Sequence, residues 1–111
     1  MKTYTGATGY VYQYYFVGKR AALEAPGTEF IFDVTADRKA TFASSVLLNP
    51  EALSTWAGQH GRELTETEQY AAAKMRLLRG FDEIESMIEH GRSLLVDASN
   101  IEDLLEPLGL E

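Results

Sequence analysis

Residues 65–90 read TETEQYAAAKMRLLRGFDEIESMIEH, and this stretch decides the predicted fold. Thr65 is followed three residues later by Glu68, which is the pattern of a capping box at a helix N-terminus. Strong helix formers fill the interior, and Gly91 is a suitable terminator. The apolar side chains recur at helical spacing and predict one stripe along a single long helix. The stripe consists of Tyr70, Leu77, Phe81, Ile84 and Ile88.

The stripe has two interpretations. It can cover a sheet within the monomer, or part of it can also contact a second copy of the helix. The second interpretation follows from length, because 26 residues at about 1.5 Å each make a long helix for so small a domain. Gly80 interrupts the pattern, where it would allow close approach of another backbone, mark a kink or simply be tolerated.

The composition is that of a small globular domain. With 111 residues and 45% hydrophobic content, the chain is predicted to form a single domain over residues 1–111. Cysteine is absent, which excludes disulfides and thiolate metal sites. No apolar run approaches the roughly 20 residues that span a bilayer, and the first residues lack the apolar core of a signal peptide. We therefore expect a soluble, cytoplasmic protein without membrane contact.

The net charge of −7 is unevenly distributed. Residues 1–49 carry five basic and four acidic side chains, whereas residues 50–111 carry five and thirteen. The acidity therefore belongs to the predicted helical half. A negative field repels phosphate backbones, so nucleic acid is not an expected partner.

The first half of the chain predicts an antiparallel meander of three strands, or four if residues 1–9 contribute a short one. The strands are residues 10–17, continuing past a bulge at Gly18, then 29–35 and 40–48. Alternation places Tyr10, Tyr12, Tyr14 and Phe16 on one face of the first strand. This aromatic row is either a core layer or a stacking platform for a flat ligand.

Helices dominate the second half. Asn49 and Pro50 predict a capped short helix whose inward contacts are Leu53 and Trp56. Residues 94–96 predict a brief strand or an extended segment. The acidic, leucine-rich tail after Asn100 either packs back on the domain or docks into a partner's groove. The predicted fold is α+β and two-layered: the meander, then a short and a long helix packed on one face of the sheet.

No catalytic constellation is recognisable, and His60 and His90 are the only histidines. The spacing around His90 does not fit a carboxylate-bridged metal site, so neither a metal nor a cofactor is expected. If a ligand pocket exists, Tyr12, Tyr14, Trp56 and His60 are its candidate residues.

Three functions remain open from the sequence. The first is a non-enzymatic, homodimeric interaction module that uses the long helix or an exposed strand edge. The second is a small-ligand binding protein or minor enzyme with an aromatic pocket. The third is an acidic inhibitor that imitates nucleic acid, which would bind a basic partner in a salt-dependent way. The expected partner is therefore a second copy or another protein, with a small molecule as the alternative.

Overall fold

The structure is a computed structural model and describes residues 1–110. Its elements in chain order are β1 (Lys2–Thr5), β2 (Val11–Ala21), β3 (Thr28–Ala36), β4 (Ala40–Leu48), α1 (Pro50–His60), α2 (Glu66–Glu83), α3 (Met87–His90), β5 (Ser93–Val96), α4 (Ile101–Leu105) and a 3₁₀ turn (Glu106–Leu108).

The five strands form one sheet in the order β1-β2-β3-β4-β5. The first four strands are antiparallel neighbours, whereas β5 pairs with β4 in parallel. A parallel neighbour needs a crossover connection, which α1, α2 and α3 supply. The predicted α+β architecture, with helices after the meander, is confirmed. The sheet is larger than predicted, because both short segments at its margins join it.

The predicted helix starts are confirmed by their hydrogen bonds. The Asn49 side chain accepts the backbone N–H of Glu51 at 2.7 Å at the start of α1. At the start of α2, the Thr65 hydroxyl accepts the Glu68 N–H at 3.2 Å, and the Glu68 carboxylate accepts the Thr65 N–H at 2.9 Å. These bonds satisfy N–H groups that the helix itself leaves without partners.

The prediction of one helix from residue 65 to residue 90 is wrong. The helix α2 ends at Glu83, Ile84 adopts an extended backbone, and α3 is a separate turn. The physical reason is the size of the sheet: 18 helical residues span about 27 Å, close to the roughly 30 Å of a nine-residue strand. Beyond that length the chain turns, and Met87 packs into the core.

The core lies between the helices and one face of the sheet. Tyr12 and Tyr14 are buried there, and the Tyr12 ring stacks on the Phe81 ring at 4.2 Å between centroids. Tyr12 and Tyr14 of the aromatic row therefore form a core layer, whereas Tyr10 and Phe16 at its two ends stay 41% and 39% exposed. Gly80 also belongs to this core, since a Cβ at its position would lie only 3.3 Å from Leu94 Cδ1 and 3.4 Å from Met87 Sδ. Its role is close side-chain packing.

Candidate interaction surface

All the helices lie against one face of the sheet, which leaves the opposite face uncovered within residues 1–110. Strand side chains alternate between the two faces, and every buried strand residue from β2 to β5 belongs to the helical side. We call the other side the outer face. Its residues are Thr3, Thr5, Val11, Gln13, Tyr15, Val17, Arg20, Glu29, Ile31, Asp33, Thr35, Thr41, Ala43, Ser45, Leu47, Ser93 and Leu95.

Apolar side chains on the outer face meet solvent. Val11 is 36% exposed, Tyr15 45%, Val17 54% and Leu95 40%. Three of these four residues belong to β2: Gln13 lies between Val11 and Tyr15, and Val17 is the unpaired residue of the bulge. Apolar side chains exposed together on one face are a feature of contact sites with other molecules.

The few charged groups on the outer face are hydrogen-bonded within it. The Tyr15 hydroxyl donates a hydrogen bond of 2.7 Å to the Asp33 carboxylate, which raises the pKa of Tyr15 above its ordinary value. The Glu29 carboxylate accepts a bond of 2.9 Å from the Ser45 hydroxyl and lies 3.4 Å from the Arg20 guanidinium. The Ser45 bond is the main cause of the lowered pKa of Glu29. The outer face is therefore nearly neutral.

The exposed strand edge, one of the two surfaces predicted for self-association, is protected. β1 pairs only with Val11–Tyr14, so the second half of β2 is an open edge within the described residues. A bulge between Phe16 and Gly18 distorts this edge. The bulge also turns Lys19 to the helical side, where its Nζ lies 5.9 Å from the Phe30 ring centroid. Bulges and inward-facing lysines are devices that prevent strand addition.

The predicted interface residues of the long helix do not form a surface. Leu77 and Phe81 are fully buried within the monomer, so in this fold they cannot reach a second copy. Tyr70 packs edge-on against Phe16 at 4.9 Å, and Ile84 is partly buried. Only Ile88 is substantially exposed, at 39%, and it belongs to α3. The stripe covers the sheet, which was the simpler of its two interpretations.

The predicted ligand-binding residues are divided between two places. Tyr12 and Tyr14 contact Phe81 in the core. Trp56 is fully buried in α1 and stacks on the His60 ring at 4.1 Å. The four side chains therefore do not line one aromatic pocket. The two tyrosines and Trp56 lie in separate places, and each is packed against other side chains.

The surroundings of Trp56 connect three helices. The His60 Nε2 lies 2.6 Å from the Glu102 carboxylate of α4. The Arg62 guanidinium lies 5.0 Å from the Trp56 ring and binds the Glu68 carboxylate of α2 through two contacts of 2.8 Å. The Arg62 bond is the main cause that lowers the pKa of Glu68 to about 2. This cluster joins α1, α2 and α4.

A cavity of about 410 Å³ lies between β1, α2 and α4. Three carboxylates line it, those of Asp82, Glu83 and Asp103, and Asp82 is already hydrogen-bonded within the chain. The Tyr4 hydroxyl donates to one oxygen at 2.7 Å, and the Ala7 backbone N–H donates to the other at 2.9 Å. The bond to Asp82 raises the pKa of Tyr4. Asp82 thus holds the β1–β2 loop against α2.

Within residues 1–110, no helix is both long and apolar enough to cross a bilayer. The same residues contain no group of three or more histidine or carboxylate side chains placed to hold a metal ion. Comparisons of the chain with protein-family models, curated proteins and solved structures found no match. The functional argument therefore depends on the geometry and charge of the surfaces.

Proposed function

We propose that this protein is a non-enzymatic interaction module whose outer face binds another protein. The observation that carries the proposal is the uncovered side of a five-stranded sheet, on which Val11, Tyr15 and Val17 of β2 are exposed. Burying apolar surface is favourable by roughly 25 cal/mol per Å². A partner that covers this face would supply that gain.

The composition of the outer face supports this proposal. The central parts of protein interfaces are depleted in charged residues and enriched in tyrosine. Charge on the outer face is confined to Arg20, Glu29 and Asp33, and each of them has a partner on the same face. A protein that docks on this face would therefore bury few charged groups that lack a hydrogen-bond partner.

Two groups that an enzyme could use, His60 and Asp82, are engaged in structural contacts. His60 is held between the Trp56 ring and the Glu102 carboxylate. Asp82 is bound to Tyr4 and to the Ala7 backbone. These contacts support a binding role rather than a catalytic one.

Site-specific photo-crosslinking tests the proposal, with two glutamines as a matched pair. A benzophenone amino acid at Gln13 places the reactive group on the outer face, whereas the same substitution at the exposed Gln59 places it on α1. We expect irradiation in cells to give discrete protein adducts from position 13 and none from position 59. The proposal would be rejected if position 13 gave no adducts, or if both positions gave the same set.

A further inference from the structure

We infer that the partner of the outer face is a second copy of this chain. Two sheets would pack outer face to outer face around a two-fold axis, which makes a four-layer dimer with helices on both outsides. This inference rests on the proposed function and adds the identity of the partner. Aligned sheets pack in this way about 10 Å apart, with their strands rotated by roughly 30°.

Charge is the first argument, because it favours the outer face over the helical face as the contact between two copies. The chain carries a net charge of −7, and residues 50–111, which include all the helices, hold thirteen acids against five bases. Two helical layers would therefore repel each other, whereas two outer faces bring nearly neutral surfaces together. In the four-layer arrangement the helical layers lie roughly 30 Å apart, if each layer adds about 10 Å. That separation exceeds the Debye length of about 8 Å at physiological salt.

Area is the second argument. The nine-residue strands β3 and β4 are about 30 Å long, and the five strands together are about 19 Å wide. Allowing for the short outer strands, the face covers about 500 Å² per copy, or about 1,000 Å² in the pair, which is near the lower limit for specific interfaces. The face is thus large enough for a weak, reversible dimer.

Asp33 lies at the centre of this arrangement. It occupies the middle strand, in one cross-strand row with Tyr15 and Ala43. A two-fold axis through the middle of the face would bring the two Asp33 carboxylates towards each other, and their repulsion would limit the affinity. An asparagine could still accept the hydrogen bond from Tyr15, so Asp33→Asn removes the charge and keeps the contact.

Sedimentation velocity and light scattering between 1 µM and 1 mM at physiological ionic strength test the inference. We expect the wild type to dimerise with rising concentration. Asp33→Asn should lower the dissociation constant of the dimer roughly two- to twentyfold. This is the effect of removing the repulsion between two charges about 10 Å apart at a dielectric constant of about 80 to 20. Ala43→Glu places a new carboxylate on the outer face and should weaken the dimer at least about tenfold. Gln59→Glu adds the same charge to α1 and should change the dissociation constant less than about twofold.

The outcomes separate this inference from the proposed function. A wild type that stays monomeric to 1 mM, or an Asp33→Asn variant that does not associate more tightly, would overturn the second copy as partner. Equal weakening by Ala43→Glu and Gln59→Glu would overturn it too. If the inference fails while position 13 still crosslinks to a different protein, the interaction module stands with another partner. If crosslinking also fails, both are rejected.

Discussion

Gly6 lies in the β1–β2 loop against the last turn of α2, and replacing it with alanine tests how closely the two fit. A Cβ added at Gly6 would lie 2.3 Å from the carbonyl oxygen of Phe81 and 3.4 Å from a ring carbon of Tyr12. The closest atom belongs to the backbone, so rotation of a side chain cannot relieve the clash. The loop has to move away from the helix.

The cost follows from what that movement disturbs. Overpacking of this kind typically destabilises by about 1–3 kcal/mol. The displaced loop would also weaken the bonds from Tyr4 and Ala7 to Asp82, which are 2.7 and 2.9 Å long. Because this site is partly exposed, we assign the weakening of these two bonds a combined cost of about 1.5 kcal/mol. This value is the lower end of the range for a hydrogen bond to a charged group. We expect Gly6→Ala to lower the free energy of unfolding by about 3 kcal/mol, a large part of the roughly 5–15 kcal/mol of a typical domain.

Urea unfolding followed by Trp56 fluorescence and circular dichroism measures this loss. Thermal unfolding should show a decrease in Tm of at least about 10 °C, given about 4–8 °C per kcal/mol for a domain near this size. Gly58 is the matched control, because it is an exposed glycine inside α1 at which an added Cβ would meet nothing within 4 Å. Gly58→Ala should stabilise the protein by up to about 1 kcal/mol. If Gly6→Ala stayed within about 1 kcal/mol of the wild type while the control behaved as expected, the described contact between the loop and α2 would be incorrect.

Two further predictions concern the helical layer. Phe81→Ala should cost about 3–5 kcal/mol of stability in urea unfolding, because the ring is fully buried, whereas Ile88→Ala should cost clearly less at its 39% exposed position; equal losses would contradict the assigned burial. Glu68 should titrate near pH 2 in carbon-detected NMR, and Arg62→Gln should raise its pKa towards 4.5. Because the pKa of Glu68 is lowered in the folded state, its stabilising contribution is complete above about pH 4.5 and is lost as the pH falls towards 2. An equal Glu68 pKa in the wild type and in Arg62→Gln would refute this ion pair.

Much of the secondary structure was predictable from short-range chemistry. The cap residues Asn49 and Thr65 and the bulge at Gly18 lie where the sequence placed them. The β4 strand has the predicted bounds, residues 40–48. Each of these features depends on residues within a few positions of one another, so a local pattern contains the necessary information.

The candidate site was less predictable. Alternation along β2 and β3 did separate Val11, Gln13 and Tyr15 from the buried tyrosines. It could not show that no helix would cover their side, since that depends on where distant segments pack. Tyr12, Tyr14 and Trp56 were predicted to line a pocket because of their residue types, yet large aromatic side chains fill a core as readily as they line a pocket.

Local spacing and composition are enough to place the starts of α1 and α2, to show which strand residues share a face and to locate the acidic charge. Tertiary structure alone decided that α2 ends at Glu83, that β5 joins β4 in parallel and that the helical stripe is buried. It also decided which face of the sheet stays uncovered. These outcomes depend on how many residues of helix the sheet can support and on contacts such as those of Asp82 with Tyr4 and Ala7, whose partners lie more than 70 positions apart in the chain.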